Sequence, residues 1–156
     1  PELTGLSRLF GQSARGEAAG NKQRRRFMNP EQLIGFIGDK LDTSPDYPFP
    51  GDRESAVFRH RGNRKWFALL MRGIPRGKLG GGEGKTDVVN LKCNPLVSGS
   101  VRGLPGVYPA YHMNKEHWIS VALDEADGEA LCALVCMSYD LTFPKAKRRQ
   151  GSDDGA

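Results

Sequence analysis

Residues 107–123 read VYPAYHMNKEHWISVAL, and the rest of the chain is arranged around this stretch. From Ile119 the pattern alternates, with Ile119, Val121 and Leu123 on one side and Trp118, Ser120 and Ala122 on the other, as in a strand with one face buried. Trp118 then points away from the core. Residues 107–113 are also rich in strand formers, but Pro109 has no amide hydrogen and fits an edge position best. Asn114, Lys115 and Glu116 make a polar turn between the two runs. The expected unit is a hairpin with His112, Lys115, His117 and Trp118 around its tip; the stretch holds two of the three histidines and one of the two tryptophans.

Upstream lies a second strand pair, residues 54–61 and 64–71, separated by Gly62 and Asn63. Glycine at the first position of a two-residue loop predicts a tight type II′ turn. Under that turn Arg61 opposes Arg64, His60 opposes Lys65, Arg59 opposes Trp66, Phe58 opposes Phe67 and Ala56 opposes Leu69. Phe58, Phe67, Ala56 and Leu69 then share the core side, while Arg59, Arg61, Arg64 and Trp66 share the other. Like charges that close repel unless an anion lies over them. Val89, Leu91 and Cys93 alternate with Val88, Asn90 and Lys92, so a further strand brings Asn90 and Lys92 beside the arginines.

The segment between these strands, residues 72–85, contains six glycines and Pro75 and reads as a long flexible loop. Its end, GGGEGKT, invites comparison with a phosphate-binding loop, but the first glycine of GxxxxGK[ST] would fall on Leu79. Strand-like residues follow where a helix N-terminus would be needed. A basic hairpin loop is expected instead.

Helices are announced by their caps. Asn29, Pro30 and Gln32 form a capping-box signal ahead of the apolar face Leu33, Ile34, Phe36, Ile37 and Leu41. Asn94-Pro95 starts a short helix through Val101. Asp127 caps a last helix in which Leu131, Leu134, Val135 and Ser138 share one face and Cys132, Cys136 and Tyr139 line an adjacent stripe. Two prolines, Pro48 and Pro50, keep residues 46–52 extended, in a crossing loop pinned by Tyr47 and Phe49.

A length of 156 residues suits one domain. The three cysteines are an odd number without a CxxC pair, which argues against a disulfide framework and for a reducing compartment, the cytoplasm by default. No apolar run approaches the roughly 18–20 residues of a membrane span, and no apolar leader segment is expected. Net charge is +5, unevenly spread: +4 over residues 1–27, −4 over 28–52, +7 over 53–92, −4 over 93–143 and +2 over 144–156. The central basic block is the footprint of a surface that meets polyanions; basic residues also solubilise hairpins and guard sheet edges. Residues 1–28 read as a basic, mobile arm, 29–146 as the folded domain and 147–156 as a polar tail.

Several segments together resemble the MmcQ/YjbR family: DYPF at 46–49, FRHRGNRKWFA at 58–68, NLKCNP at 90–95, GVYPAYHMNKEHW at 106–118 and SYDL at 138–141. The resemblance covers residues 29–146 and is most specific over 108–118. It implies an α+β two-layer sandwich, an antiparallel sheet with helices on one face, in the order α-β-β-β-α-β-β-α. It further implies DNA binding through a double wing of hairpins. The basic arm and the glycine-rich expansion at 73–84 depart from a typical member and point to a more mobile wing.

The candidate binding residues are Arg59, Arg61, Arg64, Trp66, Asn90, Lys92, His112, Asn114, Lys115, His117 and Trp118. Cations neutralise phosphates, and exposed indoles stack on bases or plug a groove. The expected function is DNA binding on this open face. The alternative is a non-enzymatic module that binds a small anionic ligand or a protein partner there, with Trp66 and Trp118 flanking Lys92. His112, His117 and Cys93 could serve acid–base or metal chemistry, yet no nucleophile or carboxylate motif fixes a reaction around them. No catalytic residue, metal or cofactor is expected.

Overall fold

A computed structural model describes residues 27–144. The expected arm at 1–28 and tail at 147–156 lie almost wholly outside the described residues. Helix α1 (Pro30–Leu41) is followed by β1 (Ala56–Arg59), β2 (Trp66–Pro75), a short 3-10 turn (Arg76–Lys78) and β3 (Lys85–Lys92). Then come α2 (Pro95–Val101), β4 (Val107–Pro109), β5 (Trp118–Ala122) and α3 (Gly128–Thr142). The strands form one antiparallel sheet in the order β1-β2-β3-β5-β4, so the α+β order expected from the sequence is the one observed.

Local chemistry explains the helices. Asn29 Oδ1 accepts from the Gln32 amide while Gln32 Oε1 accepts from the Asn29 amide, closing the capping box, and Pro30 needs no partner at the first helical position. Asn94 and Asp127 cap α2 and α3 with one bond each, their side chains accepting from the Leu96 and Ala130 amides. Each of these caps satisfies an amide that the helix itself leaves unpaired.

One face of the sheet carries the main core. Phe58, Phe67, Leu70, Leu91, Ile119 and Val121 pack against Leu33 and Ile37 of α1 and Leu131, Leu134 and Val135 of α3, all fully or nearly fully buried. Ser138 of α3 reaches into the sheet: its hydroxyl donates to Phe67 O and accepts from the Lys92 amide, splicing β2 to β3 where their direct pairing stops. His60, only 4% exposed, lies among the rings of Phe67, Tyr139 and Phe143 with Nε2 2.8 Å from Thr142 Oγ1. Thr142 gives its own hydroxyl proton to Ser138 O, so His60 Nε2 is the donor in that pair.

The β1–β2 hairpin corrects the sequence expectation in two ways. Its turn is longer than two residues: Arg64 N donates to His60 O, His60 N donates to Lys65 O, and Arg64, not Gly62, takes the left-handed conformation (φ 62°). Arg61 therefore does not oppose Arg64. Second, Phe58 pairs with Ala68 while Arg59 pairs with Trp66, which leaves Phe67 as an extra residue on β2. Such a bulge keeps two successive side chains on one side. Phe67 and Ala68 both face the helices, and Leu69 falls on the opposite face from the one expected.

That opposite face is not open. Val57, Leu69, Met71, Val88 and Ala122 form a second apolar cluster covered by loops: Phe49 from the segment after α1, Leu79 from the β2–β3 connection, Tyr111 and Met113 from the β4–β5 connection. The crossing loop is pinned by Phe49 and by an Asp46–Val57 bridge, whereas Tyr47 is 48% exposed.

Candidate functional site

On the loop-covered face the strands bring an alternating row together at one end of the sheet. Arg59 of β1 pairs with Trp66 of β2, and Lys92 of β3 pairs with Trp118 of β5. The last β2–β3 pair is Ala68 with Leu91, so Lys92 lies alongside the start of β2, where Trp66 stands. The Arg59 guanidinium sits 5.9 Å from the Trp66 ring centre and the Lys92 ammonium 5.4 Å from that of Trp118. Contacts of this kind contribute about 0.5–1 kcal/mol when exposed and about 2 kcal/mol when desolvated. All four side chains are half-buried.

The two cations differ in their counter-charges. Arg59 is neutralised by Asp46 at 2.6 Å. Lys92 has no carboxylate in ion-pair reach among the described residues. Its neighbours are indoles, which solvate an ammonium but do not cancel its charge. Phe49 meets Trp66 edge-on, 6.1 Å between ring centres, and walls the Arg59 end of the row.

Asn90 and Ser120, both completely buried, stand directly behind the row. The Ser120 hydroxyl donates to Asn90 Oδ1 and accepts from the Tyr111 amide, while Asn90 Nδ2 donates to Tyr111 O. Asn90 thus clamps the β4–β5 loop and has no free group for a ligand. Asn114 and Lys115, both exposed, brace the same loop: Asn114 Oδ1 accepts from the Glu116 and His117 amides, and the Lys115 ammonium donates to Ala110 O at 2.7 Å. Arg102 closes the loop from α2 by donating to Lys115 O. His112 holds a left-handed backbone (φ 59°) with its ring against Tyr111, and His117 is half-buried with its carbonyl bonded to the Cys93 amide.

The arginines of the hairpin tip do not join the row. Asn63 donates to Thr142 O, a Cβ on Gly62 would come within 3.1 Å of the Pro144 ring, and Arg61 lies 3.6 Å from Asp42 at the end of α1. All three contacts tie the tip to the helix layer. Arg64 is exposed on the same turn. Of the eleven candidates, the structure gathers Arg59, Trp66, Lys92 and Trp118, uses Asn90, Asn114 and Lys115 as scaffolding, leaves His112 and His117 in the adjoining loop, and sends Arg61 and Arg64 elsewhere. Asp46 and Phe49, which complete the row, had no signal in the periodicity because they come from the irregular segment between α1 and β1.

Thiol chemistry is disfavoured both beside the row, at Cys93, and on α3, at Cys132. Burial pushes the Cys93 thiol above its ordinary value, and burial drives Cys132 up to about 12. Among the described residues no three His, Cys, Asp or Glu side chains group as metal ligands would, and no helix is long and apolar enough to cross a membrane. The described body is also nearly neutral: residues 28–143 net −1, because the −4 blocks on either side offset the central +7.

A family model described as YjbR matches residues 39–141. The uncharacterized protein YyaQ of Bacillus subtilis (strain 168) is 41% identical over 114 residues, spanning 72% of this chain and 96% of YyaQ. The uncharacterized protein YbdF of Escherichia coli O157:H7 is 34% identical over 103 residues, or 65% of this chain and 75% of YbdF. A crystal structure of a Pseudomonas syringae protein superimposes with a TM-score of 0.70 at 47% identity, covering 74% of this chain and 99% of that one. The matched span takes in every strand of the sheet and the row of cations and indoles across it, and the chain belongs to the YjbR family.

Proposed function

We propose that this chain is a binding module, not a catalyst, and that its loop-covered face takes one anionic group carried on a flat apolar body. Lys92 supplies the charge, Trp66 and Trp118 the flat walls. The observation that supports this reading is a half-buried ammonium resting on an indole with no carboxylate to neutralise it among the described residues. A charge held in that setting is strengthened by partial desolvation and is relieved by a phosphate or carboxylate from outside. Three free cysteines suit work in a reducing compartment, the cytoplasm.

Duplex DNA is the second reading, favoured by the +7 block at residues 53–92 and the exposed Arg61, Arg64 and Lys65 at the hairpin tip. The two readings separate in one pair of titrations. A thermal-shift screen of anionic metabolites should find one that stabilises the protein at low concentration, with the shift lost in Lys92→Met and in Trp118→Ala. Random-sequence duplex DNA should show a shallow dependence of log K on log salt. A slope of about −4 to −5, the value for some five phosphate contacts, would establish the DNA platform and overturn the small-ligand reading.

A further inference from the structure

The far end of the loop-covered face is closed by a single side chain. The guanidinium of Arg76 donates to Asp124 and, at 2.6 Å, to Glu125, both in the turn after β5. Tyr108 donates its hydroxyl to the second oxygen of Glu125, and Thr86 donates to Asp124 at 2.8 Å. The main chain of the same residue organises the β2–β3 loop. Arg76 N donates to Gly84 O, and Arg76 O accepts from the amides of Leu79, Gly80 and Gly81. A Cβ placed on Gly82 would lie 3.5 Å from the Arg76 stem.

The loop has little else to hold it. Gly81, Gly82 and Gly84 have φ of +119°, +106° and +82° and contribute no side chain, and Gly80 only lies flat against the Tyr108 ring. Leu79 is the one apolar plug, 9% exposed, set into the cluster of Met71, Val88 and Ala122. Segments with few apolar contacts open at lower free energy than the body they cover.

We infer that residues 76–84 are a latched lid. Arg76 is the latch, Asp124 and Glu125 the keeper, and release of the ion pairs lifts Leu79 off Met71, Val88 and Ala122 while the sheet stays folded. The device stands at the opposite end of β3 from Lys92 and does not depend on the function proposed above.

Hydrogen exchange by mass spectrometry on the full chain tests this. In Arg76→Gln, amides at 76–85 should exchange roughly ten-fold faster or more while those of α3 and β1 keep their protection, and binding of an apolar dye should rise several-fold. Asp124→Asn, which weakens the keeper from the other side, should accelerate the same amides in the same direction. Unchanged exchange at 76–85 in both variants would overturn the proposal. So would acceleration spread evenly over α3 and β1, which would make the contacts part of the global fold.

Discussion

The two faces of this sheet are both apolar at the centre but are closed by different means. On the helix face, α1 and α3 lay long continuous apolar stripes over Phe58, Phe67, Leu70 and Leu91. On the other face, three separate loops each deliver one or two side chains, Phe49, Leu79, Tyr111 and Met113, and polar clamps hold them. Asn90 and Ser120 hold one loop by neutral hydrogen bonds, and Arg76 holds another by ion pairs. A helix covers a sheet and stabilises it in one stroke. A loop covers it only locally, and beside those loops Lys92 lies on an indole with no carboxylate in ion-pair reach among the described residues. The continuous apolar packing lies on the first face, and the proposed binding row lies on the second.

Substitutions can break that division. The largest loss should come from Phe67→Ala, which empties the middle of the helix face and should cost about 3–5 kcal/mol in denaturant unfolding. If it costs under about 1 kcal/mol, the helix face is not where stability resides. Ser138→Ala should follow at roughly 2 kcal/mol, because it strands both Phe67 O and the Lys92 amide in a dry setting.

A pH profile gives a smaller, directional test of the same face. Burial among aromatic rings lowers the His60 pKa, with the nearby Lys65 charge acting in the same sense. The unfolded chain therefore binds more protons than the folded one between the lowered value and the ordinary one near 6.5. Stability should fall as pH drops from about 7 through that window, and His60→Phe should flatten the fall. A profile that rises on acidification over the same range would contradict a neutral, buried His60.

Lys92→Met should do least to the fold. An exchange of this half-buried cation, which loses its contact with the Trp118 ring, is expected to cost no more than about 1 kcal/mol by thermal unfolding. It should nonetheless abolish the shift produced by an anionic ligand, and retention of that shift would move the binding site off this face.

What the sequence disclosed follows the range over which each feature is determined. Caps at Asn29, Asn94 and Asp127 involve atoms two or three residues apart, and all three stand where expected. Alternation fixed the facing of Asn90, Lys92, Trp118 and Ser120, because β3 and β5 pair regularly from Val88–Ala122 to Lys92–Trp118. Counting the alternation from its neighbour Phe67 puts Trp66 on their side, and the same count puts Leu69, beyond the bulge, on the wrong face. The extra residue at Phe67 was not legible, since it appears only when β2 is laid against β1. Arg64 in a left-handed turn hid behind the more conventional glycine two positions earlier. The loop at 72–85 looked loose because its anchor, Arg76, finds its carboxylates 48 and 49 residues away. Loops that fold back over a sheet leave no periodic trace, and a face that reads as open from strand phases can be roofed.

The supernumerary Phe67 has a reach beyond its own packing. Counting back from Ala68 and Leu70, which face the helices, a strictly pleated β2 would turn the indole of Trp66 inward and Phe67 outward. One surplus residue reverses that parity and delivers Trp66 to the side where Lys92 and Trp118 stand. The row of cations and indoles is thus encoded by strand length as much as by composition. Regular pleating through Phe67, with no bulge, would dismantle it with every contributor still in the chain.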